Sequence, residues 1–131
     1  MSIFFRFLIV VLALSLSLNA NSADSDIGII LMHGKWSGPP APPIQVLATA
    51  LKAKGFQVAT PFMSWGARRM YDVDYSTTLS EIEAAAKTLR AKGAKRIIVA
   101  GHSFGANATI AYAGSGRELD GVVAIAPGHV P

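Results

Sequence analysis

The chain has 131 residues, 51% of them hydrophobic, a net charge of +4 and no cysteine. Length and apolar content fit a single domain with a real core, and the lack of cysteine excludes disulfides and cysteine-ligated metal. The basic residues sit in scattered pairs, Lys52/Lys54, Arg68/Arg69 and Lys95/Arg96, rather than on one face with aromatics between them, which argues against a nucleic-acid surface.

Residues 1–6 carry one positive charge, Arg6; residues 7–18 are an apolar run; and residues 19–23 are small and polar. This order reads as a secretory signal peptide over residues 1–23, cleaved between Ala20 and Ala23. The rival, an uncleaved anchor, is disfavoured because the run spans roughly 18 Å at 1.5 Å per residue, short of the ~30 Å hydrocarbon core. The expectation is a domain over 24–131, exported to the periplasm or secreted, that meets a membrane only through the signal before cleavage.

Residues 27–32 are continuously apolar, as in a parallel strand covered on both faces. The run ends in His33-Gly34-Lys35-Trp36 and a proline-rich loop. The spacing of Ile44, Leu47, Ala48 and Leu51 predicts a helix over 44–54, stopped by Gly55. A second strand is expected over 56–60, followed by an irregular stretch over 61–75 that is long for a connection of this type. The next helix is predicted to start near 76–78, where Thr78 and Glu81 have capping-box spacing. Its apolar stripe is Leu79, Ile82, Ala86 and Leu89, and Gly93 ends it.

A third strand over 97–100 stops at Gly101-His102-Ser103-Phe104-Gly105, and helix-compatible residues run to 113. Strand, sharp turn and helix with serine at the apex require nearly side-chain-free residues two places either side. The turn lifts the hydroxyl clear of the sheet and sets the Phe104 N–H at a helix start. The alternative for Ser103 is an ordinary helix N-cap. A fourth strand is predicted over 121–126. Alternating strands and helices imply a three-layer α/β/α domain with a mostly parallel four-stranded sheet, ordered second, first, third, fourth, and a site at the strands' carboxyl ends.

These residues resemble the α/β-hydrolase fold over nearly the whole of 24–131. Residues 29–32 with His33-Gly34 look like that family's third strand and oxyanion loop, Gly101 to Gly105 like its nucleophile turn, and 121–126 like its sixth strand. The resemblance implies an esterase- or lipase-like serine hydrolase acting on a small acyl compound without cofactor or metal. Ser103 would be the nucleophile, with the N–H of Phe104 and of Lys35, or less well Trp36, as oxyanion donors. His33 would brace the oxyanion loop. His102, next to the serine on a strand, is expected to point away and pack. Trp36, Phe62, Met63 and Trp65 are read either as pocket wall or as loop packing, and His129 as a pocket residue.

The chain departs from the family in its acid and base. The family order is Ser, Asp or Glu, then His. Asp120 enters the fourth strand at the wrong end, roughly 20 Å from the serine rim, and Glu118 is no better placed. The expectation is therefore a domain interrupted after the family's sixth strand, with two readings open: a serine hydrolase, or an inactive fragment or binding domain lacking the triad. Its apolar fourth strand would be an open edge inviting self-association.

Overall fold

In the computed structural model, which describes residues 26–128, the apolar run at 27–32 is one of the sheet's two inner strands. Residues 1–23, expected to be a signal peptide, and His129 lie outside the described residues. β1 (Ile27–Met32), α1 (Pro42–Ala53), β2 (Gln57–Ala59), α2 (Tyr75–Ala91), β3 (Arg96–His102), α3 (Phe104–Gly114) and β4 (Gly121–Ile125) follow in chain order. β1 is uninterruptedly apolar because both its faces are covered. Ile30 and Met32 join Ile82, Ala86, Leu89, Val99 and Tyr112 beneath α2 and α3, while Ile29 and Leu31 pack on Ile44 and Ala48 of α1. Alternate side chains of a strand point to opposite faces, so one strand serves two cores.

The sheet order is β2-β1-β3-β4, and every pair is parallel. The chain steps outward from β1 to β2, then returns past β1 to β3. With crossovers of one hand, that reversal puts α1 on one face and α2 and α3 on the other, and opens a crevice where β1 and β3 end together. Met32 pairs with Gly101 at that end, so His33 and His102 both emerge there. β4 is the outer strand on the side away from β2 among the described residues, and its Val122, Val123 and Ile125 are exposed.

Three local expectations are corrected. α1 begins at Pro42 rather than 44, because prolines at its first two positions lack N–H groups that would be unbonded there anyway. α2 begins at Tyr75, capped by Asp74, whose carboxylate accepts from the Thr77 N–H at 2.6 Å. Thr78 and Glu81 form no capping box: Thr78 is buried, its hydroxyl donating to the Asp74 carbonyl at 3.1 Å and meeting the Ser64 hydroxyl at 2.7 Å. Glu81 instead grips Arg69 through two bonds of 2.8 and 2.7 Å.

Arg69 explains the long 60–74 connection. Its guanidinium also bonds Asp72 at 2.9 Å and the Phe62 carbonyl at 2.9 Å, a forked, charge-assisted clamp across the whole segment. The segment carries core residues of its own, since Met63 and Trp65 are 0% and 1% exposed. These two are core, not pocket wall.

β1 and α3 approach so closely that a Cβ on Gly105 would lie 2.6 Å from the His33 carbonyl oxygen and 2.8 Å from that of Met32. At Gly114, also in α3, a Cβ meets nothing within 4 Å. Urea denaturation should therefore separate the two glycines: Gly105→Ala should cost about 1–3 kcal/mol through overpacking, whereas Gly114→Ala should be neutral or stabilising by up to ~1 kcal/mol.

Candidate active site

Ser103 sits between β3 and α3 with φ 56° and ψ −119° and makes no side-chain cap bond. A capping serine has extended backbone and bonds back into the helix; this one does neither. The left-handed conformation is held from both sides. Ser103 N–H donates to Ile125 O at 3.0 Å, and its carbonyl accepts from Ala106 at 2.9 Å and from Gly128 at 3.3 Å. Asn107 fastens the segment after β4 by donating to the Gly128 carbonyl at 3.0 Å. Gly101 is needed because a Cβ there would collide with the Gly105 carbonyl.

Phe104 opens α3, so its N–H is one of the first-turn donors that the helix cannot satisfy. Its ring packs on Trp65 at 5.2 Å and on Tyr71 at 6.2 Å. Facing Ser103 across the crevice is the β1–α1 loop. A Cβ built on Gly34 would lie 3.3 Å from Ser103 Cβ and 3.5 Å from His102 Nδ1. A cavity of about 180 Å³ opens there, lined by Gly34, Lys35, Ser37, Ile44, His102 and Ser103 among others.

His33 is fully buried and locks that loop. Its Nε2 accepts from the Met63 N–H at 3.1 Å, so its proton is on Nδ1, which donates to the Gly34 carbonyl at 2.8 Å. Its own carbonyl accepts from the Trp65 indole at 2.8 Å. Burial pushes the imidazole below its ordinary pKa of 6.5, against a smaller upward pull from the Gly34 bond. The ring is therefore a neutral strut between the β1–α1 loop and the 60–74 segment. Of the two candidate donors after His-Gly, Trp36 N–H is already given to the Trp65 carbonyl at 3.0 Å. Lys35 N–H has no acceptor among the described residues.

His102 corrects the expectation of a packing role. It shares a sheet face with Ala100, but α1 begins too late to cover the end of that face, so His102 is exposed and lines the serine cavity. Trp36 is 55% exposed and stands edge-on to Tyr71 at 6.5 Å, outside the cavity. Both residues, with Met70, have positive φ. Bonds from Tyr71 N–H to Ser64 O at 2.7 Å and from Ala67 N–H to Ser37 O at 3.0 Å hold that strained rim, as over-determined strain requires.

Asp120 lies at the opposite end of the sheet, where its carboxylate accepts from the Ile97 N–H at 2.7 Å. Glu118 lies just before it in the chain, its backbone carbonyl accepting from Arg90 at 2.9 Å. Among the described residues no acid or histidine bonds the Ser103 hydroxyl. The Arg69 clamp and the buried Ser64–Thr78 pair escaped sequence reasoning, since nothing in spacing links positions 12 or 14 apart across a loop.

No family model matches the sequence, and no curated protein matches it. Among solved structures it is similar to one described under LipS and LipT, two metagenome-derived lipolytic enzymes. Sequence identity is 25% and the TM-score 0.64, over 76% of this chain and 41% of that one. The chain thus spans about two-fifths of the length of the structure it matches. Its fold is α/β, a parallel sheet between helices, of the hydrolase-like kind that this lipolytic structure carries.

The His33 strut gives the site a pH signature. A group whose pKa is lower folded than unfolded stabilises the fold above the unfolded value and loses that contribution as pH falls towards the folded one. Stability measured by urea denaturation should therefore drop below pH 6.5, by up to ~1.4 kcal/mol per pH unit for this one proton. In His33→Gln that component of the slope should vanish.

Proposed function

We propose that the chain is a serine hydrolase of small acyl compounds, most simply carboxylic esters, with Ser103 as nucleophile. The observation that carries this reading is the uncapped, left-handed Ser103 at the start of α3, opening on a cavity shared with Gly34 and Lys35. Ser103 Oγ would bond to the acyl carbon as its proton passes to solvent water, and the carbonyl electron pair would move onto oxygen. The tetrahedral species would collapse with the alcohol leaving protonated by water, and a second water would then attack the acyl-serine, releasing the acid and restoring the Ser103 hydroxyl. The N–H groups of Phe104 and Lys35 are the proposed donors to that oxyanion. Such donors are effective because they are fixed before the charge develops. Likeness to a lipolytic structure supports the reaction class. In the same reading residues 1–23 are a cleaved signal and the domain acts in the periplasm or outside the cell.

The second reading, a binding domain without turnover, is favoured by one observation: the Ser103 hydroxyl has no acid–base partner among the described residues. Both readings meet in one experiment on the purified chain. A fluorophosphonate should label Ser103, slowly, and Ser103→Ala should abolish labelling. p-Nitrophenyl acetate should turn over below ~1 s⁻¹, under the usual enzyme range, since oxyanion stabilisation and binding alone leave only ~10³–10⁴-fold acceleration over water. Turnover above that rate, lost in both Ser103→Ala and His129→Ala, would make His129 the base and retire the binding-domain reading. No labelling at all would retire the hydrolase.

Export has its own expected outcome. Expressed with its native start in a secreting host, the chain should be recovered outside the cytoplasm with its N-terminus between residues 21 and 24, by mass spectrometry. A chain still starting at Met1 would contradict the signal peptide.

A further inference from the structure

The serine cavity is not isolated. Ser37 and Ala41 line it and also line a second cavity of about 380 Å³, walled by Gly38, Pro40, Phe62 and Arg68. The two adjoin at Ser37 and Ala41, so a ligand long enough to cross that shared wall would reach along a cleft from Ser103 to Arg68. Its charges are all of one sign. Lys35 lines the serine end, its ammonium 5.5 Å from the Trp36 ring centre and 5.9 Å from that of Tyr71. Arg68 stands at the far end, its guanidinium 5.5 Å from the Phe62 ring centre. No acidic side chain lines either cavity.

The contrast with the next residue is informative. Arg69 is neutralised by Asp72 and Glu81 and belongs to the loop's structure. Arg68 has no carboxylate partner among the described residues, and neither does Lys35. A guanidinium stacked on an aromatic face keeps its planar fork of donors open, and that fork matches a carboxylate. Two unpaired cations along a cleft without acids raise the local concentration of anions.

We infer that the cleft selects acyl compounds bearing a second, anionic group: Arg68 takes the carboxylate at the far end while the acyl carbonyl lies at Ser103, and Lys35 adds positive charge at the serine end. The inference rests on the hydrolase reading for the identity of the reacting end, and names the substrate class for it. A neutral ester of the same size fills the same space without the charge pairing.

The test compares monomethyl glutarate, a short ester with one free carboxylate, against dimethyl glutarate, its neutral counterpart. Each is used to slow fluorophosphonate labelling of Ser103. The monomethyl ester should protect at about tenfold lower concentration, a modest factor because both cations are solvent-exposed. That ratio should shrink as salt is raised through the range where the Debye length falls below ~8 Å. Arg68→Gln should bring the ratio towards one, Lys35→Gln should reduce it, and Lys52→Gln, which removes an α1 surface cation outside the cleft, should leave it unchanged. Equal protection by the two esters in the wild-type chain, or an undiminished ratio in Arg68→Gln, would overturn the inference. Calorimetric titration of both esters into Ser103→Ala reads the cleft without the nucleophile. Tighter binding of the monomethyl ester there supports the anion site even if Ser103 never labels, and equal binding rejects it even if Ser103 does.

Discussion

The contact on which the rest depends is the one between the end of β1 and the start of α3. The helix can begin at the very rim of the sheet only because Gly105 lets it rest against the carbonyls of Met32 and His33, and because Gly101 leaves room for the Gly105 carbonyl. The tightness of that packing forces Ser103 into the left-handed region. A non-glycine residue held there costs of order 1–3 kcal/mol, and the surroundings supply it: parallel pairing of β1 with β3 and of β3 with β4, and the bonds that Ser103's backbone makes to Ile125, Ala106 and Gly128. A side-chain cap bond would offset part of the strain. Ser103 makes none, and its hydroxyl is left unbonded among the described residues.

The opposite wall of the crevice is held by a different device. His33 converts a loop-to-loop gap into two directional bonds, and the Trp65 indole adds a third. Behind them, Arg69 ties the 60–74 segment to α2 through Glu81. Loops that carry binding groups need a rigid support, and here the long second connection supplies it by burying Met63 and Trp65 as core. What remains exposed on these loops, Lys35, Trp36, Arg68 and Tyr71, stands over the cleft or at its margin, so rigidity beneath and accessibility above come from the same segment.

Much of this was legible in the sequence, for physical reasons. The run at 27–32 had to be a doubly covered strand because nothing in it could face water. The glycines flanking Ser103 declared a turn too tight for side chains, and the alternation of strands and helices ordered the sheet. What was not legible depended on contacts distant in sequence. Thr78 and Glu81 had the right spacing for a capping box, yet each found a partner in the preceding connection, and Asp74, itself a preferred N-cap residue, took the cap. For His102, strand alternation gives the face but not whether a helix covers it. Met63 and Trp65 were ambiguous because an aromatic or apolar residue in a loop looks the same whether it walls a pocket or fills a core.

If the left-handed Ser103 and the N–H groups of Phe104 and Lys35 form one oxyanion-binding unit, as proposed, a crystal structure of the chain after reaction with a diethyl fluorophosphate will show it. An adduct is expected on Ser103 Oγ with its phosphoryl oxygen about 2.7–3.1 Å from the N–H nitrogens of both Phe104 and Lys35, the range expected of oxyanion donors. An adduct on Ser103 whose phosphoryl oxygen turns to solvent, or an adduct on another side chain, would contradict it.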